Sequence, residues 1–274
     1  MGDEPRKLEV QAAVPLLENR EQRRARERAQ KKGLILPGQP VTQPQETQQP
    51  VDNDPRIGIG HVTDEHISHL FYSSMLGLLA YRAPMIRNRV LVAQGDAGHL
   101  DVGRNKVAQE FLKTGLNWLL WIDTDMAFQP REFDLLCDSV DANERPMVSG
   151  LYYTQGERRP VAFRNAFHPE DGMMHADAIE EPDEDGLVEV DGVGFGFVMV
   201  HRTLLERVSE EFGPAHPHRP WFDCSDFGPY QEPPSEDLSF CHRVRALGVP
   251  IYVHTGARVG HIKNFVMMGR RLDP

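Results

Sequence analysis

The chain has 274 residues, is 40% hydrophobic and 26% charged, and contains 13 Phe and 3 Trp, enough apolar mass for one globular body with a sizeable core. A formal charge of -11 and a pI near 5.5 set most of its surface against a nucleic-acid backbone. Cys137, Cys224 and Cys241 show no CxxC spacing, which speaks against a disulfide framework or a thiolate zinc site and fits a reducing compartment; with no apolar signal core and no apolar run of membrane-spanning length, the expectation is a soluble, cytoplasmic protein.

Residues 1–36 read as a charged N-terminal helix or tail. Within them 20–32, "REQRRARERAQKK", carry seven basic and two acidic side chains in strong helix formers, with Gly33 as a stop. Such a segment is either a solvated helix or an arm for contacts with an acidic partner or another copy. Residues 37–55, with five Pro and five Gln, read as a linker. The folded domain is expected over 56–274.

From Arg56 the pattern alternates. "RIGIGHV" predicts a short strand, and the spacing of Ile67, Leu70, Phe71, Ser74, Leu78 and Tyr81 predicts a helix over 64–81 with those residues on one face. "RVLVAQGD" predicts a second strand, "DVGRNKVAQEFLKTG" a helix closed by Gly115, and "NWLLWID" a third strand apolar on both faces. A helix is expected after Pro130, and "PMVSGLYY" returns to the sheet. Residues 177–191, rich in acids and interrupted by Pro182 and Gly186, predict an exposed loop. "GLVEVDGVGFGFVMVHR" predicts one or two strands, "PSEDLSFCHRVRALG" a helix with Ser235 as N-cap, and "PIYVHT" a last strand before "GARVGHIKNFV". Alternating strands and helices imply a mainly parallel α/β sheet whose ligands gather beyond the carboxyl ends of its strands. Asp96 and Asp123 fall at two such ends.

Three patterns can carry chemistry. In "WIDTDM", Asp123 and Asp125 fall at alternate positions, which in an extended chain share a face and can converge on one divalent cation of the Mg²⁺ or Mn²⁺ type; the plainer reading is a turn ending a strand. In "SEDL", Glu236 and Asp237 occupy the first turn of a predicted helix, where they either cap it or take a proton from an incoming hydroxyl. In "RVGHIKN", His261 can offer an imidazole to the same cation, with His254 as a rival, and Lys263 can neutralise a diphosphate. Gly194 and Gly196 lack the spacing and the following helix of a dinucleotide fingerprint.

Taken in order, "QGD", "GRNKVAQEFL", "WIDTDM", "GVGFGFVMVHR", "SEDLSFCHRVRALG" and "GHI" resemble the GT-A class of nucleotide-sugar glycosyltransferases, in particular its bacterial and phage-encoded members, over roughly residues 56–268. The resemblance implies a GT-A sheet flanked by helices with a smaller, irregular acceptor-side region toward the C-terminus. It implies a metal-dependent, inverting enzyme that moves a sugar from a UDP- or GDP-linked donor to a hydroxyl of a protein or glycan, with Mn²⁺ or Mg²⁺ as cofactor. It puts His61 at the nucleobase, Asp96 on base or ribose, and Arg104 and Asn105 on the nucleotide or sugar. Asp123 and Thr124 would meet the ribose, diphosphate or metal, while Asp125 and His261 would hold the metal. Gly194 would floor the donor site, Lys263 would face the diphosphate, and Asp237 would be the base with Glu236 orienting it. The first strand, "IGIGHVT", departs from the Pro-Thr turn of many relatives. A binding module of the same fold without chemistry is the alternative; a glycoside hydrolase would leave the DxD and histidine unexplained.

Overall fold

The structure is a computed structural model that describes residues 56–63, 67–86, 90–94, 99–154, 159–164, 176–224 and 234–263. The tail, the linker and Asp96 lie outside the described residues.

The central sheet is built from β1 (Ile57–Thr63), β2 (Val90–Gln94), β3 (Trp118–Ile122), β5 (Met147–Leu151), β8 (Leu187–Val190), β10 (Phe197–His201) and β11 (Ile251–Arg258), in the order β2-β1-β3-β10-β5-β11-β8. β2, β1 and β3 run parallel, as do β5 and β11; β10 and the edge strand β8 run against them. The sheet is therefore mainly parallel in direction, as expected, but β10 enters it antiparallel, between β3 and β5.

β3 explains why a strand can be apolar on both faces. Trp118, Leu120 and Ile122 join a core cluster with Phe71, Met75, Leu78, Phe133 and Leu136. Leu119 and Trp121 point the other way, into a cluster with Val107, Phe111, Leu204 and Phe240. The first cluster lies under helices α1 (His69–Ile86) and α3 (Pro130–Ser139), the second under α2 (Leu100–Leu112), α4 (Arg202–Phe212) and α5 (Glu236–Ala246). Each large side chain so buried contributes about 1.5–3 kcal/mol.

Local chemistry sets the helix ends. Pro130 starts α3, where Gln129 and Glu132 form a capping box. Ser235 caps α5, accepting from the Leu238 amide at 3.4 Å. α2 packs tightly on β1 because Gly103 has no side chain: a Cβ there would come within 2.7 Å of Val62 Cγ1. Gly115 was the expected stop for α2, yet the helix ends at Leu112, and its last carbonyls are taken by Arg202. That guanidinium donates to the carbonyls of Phe111 at 3.1 Å, Leu112 at 3.0 Å, Thr114 at 2.5 Å and Leu116 at 2.8 Å.

Several expectations need correction. The helix predicted over 64–81 is α1, shifted to His69–Ile86, and its buried arc is Phe71, Met75 and Leu78; Ile67, Leu70 and Tyr81 are exposed. The apolar residues nearly encircle this helix, so periodicity could not choose the inward side. The acidic stretch 177–191 is not all loop: it holds β7 (Asp177–Ala178) and β8, because β8 can pair with β11 while turning Leu187 and Glu189 outward. The overlapping glycine-spaced stretch from Gly186 makes three strands, β8, β9 (Gly192–Val193) and β10, where one or two were expected. β9 and β7 flank β6 (Ala162–Arg164) in a small separate sheet toward the C-terminal half. A two-stranded sheet pairs β4 (Met126–Ala127) with β12 (Gly260–His261).

Arg202→Ala leaves four carbonyls of the α2 C-terminus short of a charged donor. It is expected to lower the unfolding free energy by about 2–3 kcal/mol in urea denaturation, with little change in m.

Candidate active site

The carboxyl edge of β3 is where the sequence motifs meet. β3 ends at Ile122, and the next residues turn: the Met126 amide donates to the Asp123 carbonyl at 3.1 Å, closing Asp123–Met126, while the Asp123 amide donates to Gly196 at 3.1 Å. Asp123 and Asp125 thus sit in a turn with Thr124 between them, and the extended-chain reason for their convergence does not apply. Their side chains take different partners.

Asp123 reaches Arg104, whose Nη2 lies 3.2 Å from Oδ1. The same guanidinium has Nε 3.5 Å from Glu236 Oε1 and Nη1 3.2 Å from Asp237 Oδ1, so three carboxylates from two distant parts of the chain surround one buried arginine. Its plane packs over the rings of Phe195 and Phe222, with centroids 5.2 and 5.9 Å away. Burial works against the charged arginine, but Asp123, Asp237 and Glu236 outweigh it and raise its pKa. Arg104 is thereby the interior counter-charge of the site, where the resemblance put it on a nucleotide.

Asp237 is the most perturbed acid. Burial, with the nearby charges of Glu236 and Asp123, pushes its carboxyl up to about 7 against the opposing pull of Arg104. Its Oδ2 accepts the Phe195 amide at 3.0 Å. Its Oδ1 is buried and has no hydrogen-bond partner, and neither do Arg104 Nε and Nη1, whose contacts are ion-pair distances only. Asp237 Oδ1 and Arg104 Nη1 thus face each other as a buried ion pair without hydrogen-bond geometry. Asp123 is raised as well, because burial, helped by Asp125 and Glu236, outweighs the opposing charge of Arg104.

Asp125 faces the other way. β12 lies antiparallel to β4 with His261 opposite Met126, and the Ile262 amide donates to the Asp125 carbonyl at 2.7 Å. This pairing carries a residue from near the C-terminus to the DxD turn. His261 Nε2 then lies 3.1 Å from Asp125 Oδ2, and Lys263 Nζ lies 2.6 Å from the same oxygen. Burial opposes ionisation of Asp125, but hydrogen bonds from His261 and Lys263 prevail and lower its pKa. His261 is raised, chiefly by Asp125. Its rival His254 is remote from this pair and accepts the Gly256 amide at 3.1 Å.

The His261 ring suits a metal. Nδ1 lies 2.9 Å from the Tyr153 carbonyl, which can only accept, so Nδ1 carries the proton and Nε2 faces Asp125. A lone pair and a carboxylate oxygen at 3.1 Å require a proton or a cation between them. Here a proton fills that role, and Lys263 Nζ already neutralises the same oxygen; the carboxylate and the imidazole are nonetheless donor types that a divalent ion takes. Among the described residues no group of three or more His, Cys, Asp or Glu converges as a complete metal cage, so such an ion would draw its remaining oxygens from water or a bound diphosphate.

Tyr152 was not anticipated. Buried at the end of β5, it sets its ring edge-on to His261, with centroids 5.4 Å apart, and its hydroxyl accepts the Gly196 amide at 3.4 Å. Gly194 and Gly196 lack side chains because this ring fills the space: a Cβ on Gly194 would overlap the hydroxyl, and one on Gly196 would lie 2.9 Å from the ring. The "GVGFGF" spacing signalled a close approach, but nothing local told that its occupant is Tyr152. Gly194 thus makes room for a side chain of this chain where a donor sugar was expected.

Two residues expected at the ligand lie buried within the chain. Asn105 is buried, with Nδ2 donating to the Asp101 carbonyl at 2.7 Å and Oδ1 accepting the amides of Trp221 and Phe222 at 3.3 and 3.4 Å. It ties residues 221–222 to α2, and so supports the Phe222 ring beneath Arg104. His61 lies within β1, buried edge-on to Phe71 at 5.6 Å, and burial lowers its pKa. It underlies the strand end and does not present its ring there.

The fold is an α/β sheet, mainly parallel, with helices on both faces, the architecture that the sequence resemblance implied. Among solved structures, A197 from STIV matches with a TM-score of 0.51 and 16% identity over 80% of this chain and 100% of that one. A glycosyltransferase involved in the glycosylation of the major capsid of PBCV-1 gives 0.41 and 14% over 76% and 93%. GalNAc-T7 with UDP, GalNAc and Mn²⁺ gives 0.47 and 12% over 77% of this chain and 44% of that one. At 16% identity the likeness to A197 is one of fold alone. No family model matches the sequence, and no curated relative matches it.

Two outcomes follow from this geometry. The stabilisation from His261 and Asp125 is present in full below the ordinary histidine value of about 6.5 and is lost as pH rises through the raised one. NMR titration should place the His261 midpoint above that of a free histidine, and Asp125→Asn should bring it down. Gly194→Ala should destabilise the fold by about 1–3 kcal/mol through the clash with Tyr152, and Tyr152→Phe in the same chain should recover part of that loss in thermal unfolding.

Proposed function

We propose that this protein is a glycosyltransferase that moves a sugar from a nucleoside diphosphate donor, UDP- or GDP-linked, to a hydroxyl acceptor with inversion, using Mn²⁺ or Mg²⁺. The observation that carries this reading is the meeting, at one sheet edge, of the Asp125–His261 pair and of Asp237, whose Oδ1 faces Arg104 without a hydrogen bond.

In this reading Asp125 and His261 hold the cation, while Asp123 and Thr124 border the ribose and diphosphate. The cation, when bound, stabilises negative charge on the diphosphate. Lys263, whose ammonium lies against Asp125, would add a positive charge beside the same diphosphate. Asp96 belongs to the base or ribose end.

Asp237 does the proton chemistry. The Phe195 amide holds Oδ2, and Arg104 flanks Oδ1, so the second oxygen is aimed while retaining capacity to accept a proton. The acceptor hydroxyl gives its proton to Asp237 as its oxygen bonds to the anomeric carbon. The bond from that carbon to the diphosphate breaks, and its electron pair leaves with the phosphate. A carboxyl near 7 is matched to this work at neutral pH, being largely ionised just above it and still basic enough to take the proton. Glu236 shares Arg104 with Asp237 and so steadies its orientation.

Asp125→Ala should abolish Mn²⁺-dependent stabilisation by UDP or GDP in a thermal-shift screen. Asp237→Asn should bind the same nucleotide normally and lose about 10²–10⁴-fold in turnover. In wild type, kcat/KM should fall as pH drops below about 7, since protonated Asp237 cannot act as base. Wild-type protein that binds a donor sugar but never transfers it would replace the enzyme with a binding module. Full turnover in both variants would remove the site assignment.

A further inference from the structure

Two adjacent residues at the end of β5 both touch His261. The Tyr153 carbonyl accepts from Nδ1 at 2.9 Å, and the Tyr152 ring meets the imidazole edge-on at 81°, with centroids 5.4 Å apart. From there the two tyrosines part. Tyr153 sends its hydroxyl outward to Glu181 at 2.7 Å, whereas Tyr152 is 5% exposed and turns inward. Its hydroxyl reaches the three residues that join β9 to β10, Gly194, Phe195 and Gly196, where it accepts the Gly196 amide at 3.4 Å.

That short connection holds the other half of the site. The Phe195 amide donates to Asp237 Oδ2 at 3.0 Å, the Gly196 carbonyl accepts the Asp123 amide at 3.1 Å, and the Phe195 ring lies under Arg104. With glycine on both sides of Phe195, the connection has no flanking side chains with which to fix its own backbone. Tyr152 presses on it at both glycines: a Cβ on Gly194 would overlap the hydroxyl, and one on Gly196 would lie 2.9 Å from the ring. One side chain therefore bears on His261 and on the backbone that aims Asp237.

We propose that Tyr152 is a positioning residue that ties the two halves of the site together. Its ring holds the His261 imidazole toward Asp125, and its hydroxyl holds the Gly194–Gly196 backbone so that the Phe195 amide aims Asp237. The inference deepens the reading above and rests on it, with Asp125 and His261 as the cation's ligands and Asp237 as the base. The two tasks fall on different atoms of one side chain, so substitutions can separate them.

The test compares Tyr152→Phe, which keeps the ring, with Tyr152→Leu, which removes it, in the full chain. Calorimetry reads Mn²⁺ affinity in the presence of UDP or GDP, NMR reads exchange protection of the Phe195 amide, and a transfer assay reads kcat and KM. In Tyr152→Phe the Mn²⁺ affinity should stay within about twofold of wild type, while the Phe195 amide loses protection relative to the amides of β10 and kcat falls about tenfold with donor KM little changed. Tyr152→Leu should in addition lose about tenfold or more in Mn²⁺ affinity. A side chain that only filled space would not give this split, because phenylalanine would then match wild type in every readout. A Tyr152→Phe chain with wild-type kcat and Phe195 protection overturns the proposal, and so does a folded Tyr152→Leu chain with wild-type Mn²⁺ affinity. Should Tyr152→Leu fail to fold, Tyr152→Phe decides alone, since a loss of Mn²⁺ affinity with the ring still in place also overturns it. Wild type that binds Mn²⁺ and nucleotide yet transfers nothing removes the enzyme reading, and calorimetry and exchange still decide the role of Tyr152; wild type that binds neither removes both.

Discussion

The site depends on Arg104. Asp123, Glu236 and Asp237 are brought together by the fold, and three carboxylates gathered in a partly desolvated place would repel one another strongly without an interior cation. The guanidinium suits the task because it cannot lose its proton and presents donors along several edges. Its position is over-determined by α2, by the rings of Phe195 and Phe222, and by Asn105 pinning the segment that bears Phe222. Even so, the compensation is incomplete, since Asp237 stays close to neutral pH in its titration and keeps an oxygen without a hydrogen bond. Structural rigidity and chemical reactivity are here two sides of one arrangement.

A second constraint is the short β4–β12 sheet. Two residue pairs hold it, yet it decides which histidine meets the DxD turn. His254 lies inside β11, where its ring nitrogen serves the local backbone. His261 lies beyond the end of that strand and is carried across to Asp125, while the Tyr153 carbonyl selects its tautomer and Tyr152 braces its ring. The acidic turn therefore has two electrostatic halves: Asp123 answers to an interior arginine, and Asp125 to a histidine and a lysine nearer the surface.

Much of this was legible along the chain. Alternating apolar runs and helical stretches announced the sheet, and the doubly apolar β3 announced that helices cover both its faces. The Ser235 cap and the Pro130 start follow from local chemistry. The apolar residues of α1 did not reveal its inward face, because a helix with apolar side chains almost all round has no single preferred side. Asn105 and His61 have ligand-binding chemistry, but burial directed their polar atoms to the chain or left them covered.

The sequence by itself determined the class of fold and the residue types of the candidate site, because backbone periodicity, capping and the end of an apolar strand are encoded within a few residues of one another. Only the tertiary structure decided who meets whom. Arg104 joining Asp123 to Glu236 and Asp237, His261 in place of His254, and Tyr152 filling the space left by Gly194 and Gly196 are contacts between residues far apart in the chain. Such contacts depend on strand order and packing, and local patterns do not contain that information.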